Sequence, residues 1–428
     1  MTESILYHIR KIIPQAIFHF FQPIYHASLA FIGAVIYRFP SHKLKVIAVT
    51  GTKGKSSVTE LVSAILEEAG HTTAVSNTIR FKIGGGSRDN LYKMSMPGRM
   101  FIQRFLRQAV KAGCEYAVIE VTSQGAAFYR HKFIAYDALI FTNLAPEHIE
   151  AHGSYENYVR AKLSIAEEAA RSSKPHTVLV ANADDKVTNL FLKKDFDEKR
   201  LYSLDDARPF ELRKEGFSMT VQGVRMESSL SGEFNIYNEL AAISLAESEG
   251  ISIDACKRAI EKFTGIRGRV EKIDAGQDFT VVVDYAHTPD SLEKLYRVFK
   301  GTRRICVLGN TGGGRDTWKR DEMARIAERD CDEIILTNED PYDDDPRKIV
   351  EDMAKAIGEE SRRKKLHVIM DRREAIARAL SLARTGDSVL ITGKGTDPYI
   401  MGPNNTKIPW SDARVAREEL EKLAKKQN

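Results

Sequence analysis

Seven residues that follow a run of strand-formers carry the first chemistry in this chain: Gly51-Thr52-Lys53-Gly54-Lys55-Ser56-Ser57 comes directly after Lys-Val-Ile-Ala-Val-Thr at 45–50. A glycine loop between a buried strand and a helix turns backbone N–H groups and the positive end of the helix toward an anion, and glycine lets the chain approach a phosphate closely. Lys55 would reach the terminal phosphates and Ser56 would ligate magnesium. The residues beyond Ser57 supply the helix this requires, because Val58, Leu61, Val62, Ile65 and Leu66 recur at the spacing of one helical face and Gly70 offers a stop. Gly51 precedes Gly54 by three positions, which departs from the strict G-x-x-x-x-G-K-[ST] spacing. The alternative to phosphate binding is an ordinary tight turn.

Further buried-strand patterns at 117–121, 138–142 and 177–181 are separated by segments long enough for crossover helices, which predicts a parallel α/β sheet. Polar residues come directly after these strands: Glu120, Thr122 and Ser123; Asn143, Glu147 and His148; Asn182, Asp184 and Asp185. Open α/β sheets bind ligands at those strand ends. Residues 201–235 read as short alternating strands, and after Arg269 strands return at 281–284, 305–309, 333–337, 367–370 and 388–392, alternating with helices. The chain is therefore α/β: a P-loop central domain with a parallel sheet at 44–266 and a C-terminal Rossmann-like α/β domain at 267–428, preceded by a short apolar helical leader at 1–43. The glycines of Gly-Ile-Arg-Gly-Arg at 265–269 suit a hinge.

A length of 428 residues exceeds what one core supports, so more than one domain is expected. Lys and Arg outnumber Asp and Glu by 64 to 59, but residues 1–45 hold five bases against one acid and supply most of the excess. The remainder is nearly neutral, and no nucleic-acid partner is expected. Cys114, Cys256, Cys306 and Cys331 lie far apart without a C-x-x-C pair, so each reads as a small core residue and a reducing cytoplasm is expected. Between Lys11 and Arg38 stand 26 residues without formal charge, interrupted by His19, Gln22, Pro23, His26 and Ser28. Helices packed on the body, an interfacial anchor making peripheral membrane contact through residues 5–38, and a transmembrane span all fit this stretch.

The pattern as a whole resembles the Mur ligase family, ATP-dependent amide-forming enzymes of cell-wall peptide synthesis, and within it the MurE-like branch that adds the third residue of the stem peptide. The resemblance runs through VTGTKGKSS (49–57), IEVTSQG (119–125), FTNLAPEHIEAHGSYENYVRAK (141–162), NADD (182–185) and LSGEFNIYNELAA (230–242). It continues through GIRGRVE (265–271), VVVDYAHTPDSLEKL (281–295), LGNTGGGRDTWKR (308–320), TNEDPYDDDP (337–346), DRREAI (371–376) and ITGKGTDPY (391–399).

The resemblance implies ATP and two Mg2+ sites. Gly51 to Ser57, Asn143, Asn182, Asn238, Arg269 and Asp284 would surround the nucleotide, and Ser56, Glu120, His148 and Lys162 would serve the metal. Lys162 matches the family's carbamylated lysine, since a carbamate offers hard oxygens where an ammonium cannot ligate a cation; a plain surface lysine is the alternative. Lys55, Lys162, Arg269 and His287 would be catalytic, His287 by positioning nucleotide. Ser95, Thr122, Ser123, Arg130, Asp340, Tyr342, Asp343, Gly393 and Asp397 would line the substrates, namely an amino acid and a nucleotide-sugar peptide or lipid-linked precursor.

Where the family has a DNPR-like run this chain has Glu339-Asp340-Pro341-Tyr342, so the arginine that would clamp a second carboxylate is absent. With Asp343 to Asp345 beside it, an amino acid with a side-chain ammonium, such as lysine or ornithine, is expected, unless the acidic loop is only solvated. Thr396 and Asp397 replace histidine and glutamate of a GKGHE-like run, Gln124 stands for histidine and Glu147 for aspartate. Residues 1–43 do not match the UDP-gripping domain of full-length relatives. The nucleotide-sugar would then be held by the central domain, or the acceptor would be lipid-linked and met at the inner face of the membrane. The expected enzyme is a cytoplasmic monomer that activates a carboxylate as an acyl phosphate, which the amine attacks. A polyglutamate-type or amidating ligase and a non-catalytic ATP-binding relative are the competing readings.

Overall fold

The computed structural model describes residues 15–147, 149–314 and 317–427, which divide into two compact units. The first comprises residues to Ala145, Tyr155–Tyr202 and Ala241–Ile251. Its described strands form an eight-stranded sheet in the order β4-β3-β2-β5-β1-β6-β7-β8, built from β1 (Lys45–Thr50), β2 (Thr73–Ser76), β3 (Arg80–Ile83), β4 (Gly86–Asp89), β5 (Tyr116–Glu120), β6 (Ala138–Phe141), β7 (Val178–Asn182) and β8 (Glu198–Tyr202). From β2 to β8 every pairing is parallel, with Val49 opposite Glu120 and Thr50 opposite Phe141. β1 is buried from Val46 to Thr50, as a strand covered on both faces must be.

Helix α1 (Gln15–Ile36) lies on α3 (Arg99–Lys111), while α2 (Lys55–Glu68) buries Val58, Leu61, Val62, Ile65 and Leu66 on the sheet. Those are the five residues whose spacing predicts the helix, and Gly70 lies just past its end at φ 93°. α4 (Ser123–Ala127) comes after β5, and α5 (Tyr155–Ala170) lies between β6 and β7. Among the described residues no helix is long and apolar enough to cross a membrane.

The second unit comprises Pro146–Ser154, Ser203–Leu240 and Ser252–Asn428. The alternating pattern near 201–235 becomes an antiparallel sheet of β9 (Phe210–Arg213), β10 (Gly216–Val221) and β11 (Val224–Ser228), succeeded by α6 (Glu233–Ser248), whose residues to Leu240 belong here. The Rossmann-like part is a sheet in the order β12-β13-β17-β14-β15-β16, of β12 (Glu271–Lys272), β13 (Thr280–Asp284), β14 (Arg304–Leu308), β15 (Glu333–Leu336), β16 (Leu366–Val368) and β17 (Ser388–Thr392). Only β12 runs antiparallel. α7 (Lys319–Asp330), α8 (Pro346–Lys355), α9 (Arg372–Leu382) and α10 (Asp412–Gln427) pack about it, and β18 (Tyr399–Met401) pairs with β19 (Lys407–Pro409).

One expectation is corrected. Cys306 and Cys331 form a disulfide, where the sequence reading made each a separate core residue. They stand 25 positions apart, but α7 returns the chain so that Cys331 enters β15 beside Cys306 of β14, with Cα atoms 6.1 Å apart. Cys114 and Cys256 take no part in a disulfide and are buried, as expected of core residues.

An ion pair without solvent ties α9 to α10. Arg372 donates from Nε to Asp412 Oδ1 at 2.8 Å and from Nη2 to Asp412 Oδ2 at 2.7 Å, with the two side chains 1% and 0% exposed. The same guanidinium donates to the carbonyls of Asn338 and Thr392. Arg372→Met would leave the Asp412 carboxylate buried with the Trp410 indole N–H as its remaining side-chain donor among the described residues. We expect a loss of about 3 to 5 kcal/mol, seen as an earlier urea transition of the second unit, while Arg372→Met with Asp412→Leu recovers much of it.

Candidate functional site

Parallel pairing sets the C-terminal ends of β5, β1 and β6 side by side, and each delivers polar residues to one edge of the first unit. Gly51 leaves β1 at φ 150°, and a Cβ there would come 1.9 Å from Thr142 Oγ1. No other residue fits. The loop is held by its neighbours: Asn143 accepts from the Lys53 N–H at 2.9 Å and donates to the Lys53 carbonyl at 3.0 Å, while Thr142 Oγ1 donates to that carbonyl at 2.7 Å. Thr52 Oγ1 meets the Tyr158 hydroxyl at 2.8 Å, and Asn182 donates to the Thr142 carbonyl at 2.9 Å. Of the two asparagines expected from sequence beside the nucleotide, Asn143 braces the loop and Asn182 braces the end of β6 next to it.

The loop ends at Gly54, which precedes α2 in a left-handed conformation, so the first turn of the helix begins at Lys55. Lys55 Nζ donates to the Thr52 carbonyl at 2.8 Å and lies 4.0 Å from Glu120 Oε1. Ser56 Oγ donates to Glu120 Oε2 at 2.8 Å. Thr78 also donates to this carboxylate, from its N–H and its hydroxyl, each at 3.1 Å, and Ser95 meets the Thr78 hydroxyl at 2.8 Å. Burial alone would raise the Glu120 carboxyl, but the Lys55 ammonium and the hydrogen bonds from Ser56, Thr78 and Ser95 outweigh it and hold the group below its ordinary value. Glu120 is therefore an anion in a buried setting.

Lys162, from α5, is 2% exposed and donates to the Gly51 carbonyl at 2.6 Å, with its Nζ 5.0 Å from the Tyr158 ring centre. The surface-lysine alternative is corrected by this burial. Thr122 caps α4 by accepting from the Gly125 N–H, and Ser123 is buried at its first turn. Arg130 donates to the Met96 carbonyl. His148 lies outside the described residues.

In the second unit Asp284, at the end of β13, accepts from the N–H groups of Ala286 and Val270 at 2.6 and 2.7 Å. Arg269 donates to the Gly268 carbonyl and lies over the Tyr285 ring, 4.5 Å from its centre. His287 Nδ1 donates to the Tyr285 carbonyl at 2.7 Å, and its Nε2 stands 3.1 Å from Glu147 Oε1. The Asp397 charge, then burial, pushes the Tyr285 phenol well above its usual range. Asn238 donates to Asn235 on α6.

The loops after β15 and β17 meet around a residue to which the sequence reading assigns no role, Lys394. It is fully buried and donates to Asp340 Oδ1 at 2.8 Å and Asp397 Oδ2 at 3.3 Å. A lysine between two glycines after a buried strand was the available signal. Glu339 accepts from Thr311 at 3.0 Å, while its Oε2 has no hydrogen-bond partner among the described residues, and a Cβ on Gly393 would come 2.3 Å from that oxygen. Tyr342 adopts φ 52° and donates its N–H to the Met401 carbonyl. The acidic run is bonded within the second unit: Asp343 accepts from the Asn404 N–H, Asp344 from the Gly313 N–H and Asp345 caps α8.

Residues 49–246 match the Mur ligase middle domain, and residues 268–395 match the Mur ligase, glutamate ligase domain. The chain belongs to the Mur ligase family. It is 37% identical to a UDP-N-acetylmuramyl-tripeptide synthetase of Roseiflexus sp. (strain RS-1) over an alignment of 422 residues, covering 92% of this chain and 82% of that one. It is 35% identical to the UDP-N-acetylmuramoyl-L-alanyl-D-glutamate--2,6-diaminopimelate ligase of Syntrophomonas wolfei, again covering 92% and 82%. A solved structure of a ligase with that name aligns with a TM-score of 0.61 at 29% identity, covering 89% of this chain and 79% of the other. As a Mur ligase this is an ATP-dependent, ADP-forming amide ligase, and the family works with Mg2+. Ser56 Oγ and the ionised Glu120 carboxylate are hard oxygen donors that suit that cation.

Proposed function

We propose that this Mur ligase adds an amino acid to the peptide of a UDP-MurNAc-type precursor, and that the added residue carries a side-chain ammonium. The observation that carries the second part is a charge imbalance in the second unit. Glu339, Asp340 and Asp397 are buried around Lys394, and Glu339 and Asp340 also act on the Arg372 guanidinium that Asp412 binds. A guest cation is attracted by that cluster of acids, whereas the second carboxylate of diaminopimelate is repelled by it, and Tyr342 offers no guanidinium to receive it. The bonded acids 343–345 contribute field rather than free acceptors.

In the first unit, Gly51 to Ser57 would cradle the phosphates and Lys55 would neutralise charge that gathers as the acceptor carboxylate is phosphorylated. ATP supplies the phosphoryl group that turns a poor leaving oxygen into an acyl phosphate, releasing ADP, and the amine then displaces phosphate. Magnesium when bound would screen the phosphate oxygens, with Ser56, Glu120 and a carbamylated Lys162 as its residues at two sites and His148 as a further ligand. Arg269 would counter phosphoryl charge, Asp284 and His287 would position nucleotide, and Ser95, Thr122, Ser123 and Arg130 would hold the acceptor. We assign 44–266 and 267–428 as the functional domains behind a leader at 1–43. We further infer a monomer that works in the cytoplasm at the inner face of the membrane.

The test is phosphate release by purified protein with ATP, Mg2+ and UDP-MurNAc-dipeptide, offering lysine, ornithine and diaminopimelate singly. Release with lysine or ornithine supports the reading. Release with diaminopimelate alone overturns the charge argument, and silence across the panel from protein that binds ATP moves the acceptor to a lipid-linked precursor.

A further inference from the structure

Helix α1 is built inside out. Its residues against the body are small, Ala30 at 2% exposure, Ala34 at 0% and a buried Gly33, where an added Cβ would lie 3.3 Å from the Met100 Cα of α3. Its large apolar residues are left half-exposed: Ile24, Phe31, Ile32, Val35 and Ile36 are each between 46% and 56% exposed, Phe31 with one edge on Phe133. Solvent-facing helices place polar residues there, and single exposed apolar side chains need no explanation, but five on one stripe do. Small residues let two helices approach closely, so α1 gives its contact face to α3 and keeps its greasy face for something else.

The charge around that stripe has one sign. No acid occurs between Glu3 and Glu60, nor between Asp89 and Glu115, and these two stretches contain α1 and α3. Arg38 and Lys43 come after α1 and are exposed, and α3 carries Arg104 and Arg107 with no acidic residue. Glu168, which reaches the Phe133 beside Phe31, is held by Lys132 at 2.6 Å. An apolar helix face rimmed by bases and free of acids is the pattern of a helix that lies in a lipid interface.

We propose that the α1–α3 face docks on an anionic lipid bilayer, with the stripe from Ile24 to Ile36 among the acyl chains and Arg38, Lys43, Arg104 and Arg107 at the phosphate level. This deepens the membrane-face setting of the proposed function, and rests on it only for its location. The occupant is lipid rather than a second copy because a copy would bring the same bases against these bases.

Flotation of the full chain with phosphatidylglycerol-containing vesicles, against pure phosphatidylcholine vesicles, tests it. The chain should float with the anionic vesicles, at least about tenfold more than with neutral ones, and high salt should weaken this. Phe31→Asp with Ile32→Asp should abolish flotation, and Arg104→Glu with Arg107→Glu should reduce it at least about tenfold. All should keep ATP affinity, since none of these side chains touches the glycine loop. If aspartate unfolds the chain, Phe31→Ser with Ile32→Ser replaces it. Absence of flotation by the unaltered chain, flotation unchanged in the variants, or a soluble dimer that the Phe31 and Ile32 changes split would each overturn the proposal. No substrate enters this assay, so its failure leaves the ligase reading standing, and a silent amino-acid panel leaves lipid binding standing.

Discussion

Lys55→Met is expected to lower ATP-dependent amide formation by about a thousandfold or more, the scale on which one preorganised charge at a reacting centre acts. Lys55 is the ammonium at the first turn of α2, and it is already drawn back over the loop by the Thr52 carbonyl and toward Glu120. A long apolar side chain keeps the packing and deletes the charge. The same substitution has a signature apart from activity. In the unaltered protein the Glu120 carboxyl is held low, so its ionisation contributes stability above the ordinary carboxylate range that is lost as pH falls. Without Lys55, burial opposes ionisation with less resistance and the group moves up, so less of that stability is present above the range and less is lost as pH falls. The thermal midpoints of the two proteins should therefore lie closer together at acid pH than at neutral pH. Equal turnover in Lys55→Met would remove Lys55 from the chemistry, and an unchanged pH profile would remove it from the field at Glu120.

This coupling also explains what was legible in the sequence and what was not. The glycine loop was readable because strand, turn and helix are local: β1 spans the run 45–50 and the five apolar positions of α2 are all buried. The strand predicted at 117–121 forms at 116–120, since Glu120 ends the pairing with Val49 and the Val121 N–H then donates to the Val49 carbonyl as the chain leaves the sheet. Long-range closure was not readable. Cys306 and Cys331 are brought together by the return of α7, and Lys394 finds Asp340 from 54 positions away. The acids at 343–345 were visible as charge, but their backbone partners Asn404 and Gly313 come from distant loops. The apolar content of the leader was plain, whereas its inverted orientation depends on α3, which gives small residues the inside place.

Glu239→Gln is the other large expected effect, and it has the opposite sign from most core substitutions. Glu239 lies on α6, 1% exposed, where the Ser228 hydroxyl at the end of β11 donates to its Oε1 and Oε2 has no partner among the described residues. Burial pushes this carboxyl up to about 8 from an ordinary 4.5, with the Ser228 bond opposing. The folded form thus keeps a proton that the unfolded chain gives up. Stability is complete below the ordinary value, declines as pH rises from there, and the contribution is gone once pH has passed the folded value. At about 1.4 kcal/mol per unit, that interval amounts to roughly 5 kcal/mol as an upper bound. Glutamine keeps the shape and an acceptor for Ser228 while removing the titration. The variant should match the unaltered protein near the acid end of the range and exceed it by a few kcal/mol above the folded value, measured as urea midpoints of the second unit. Equal slopes against pH in the two proteins would show that Glu239 is ionised in the fold and satisfied there, and the burial argument would fall.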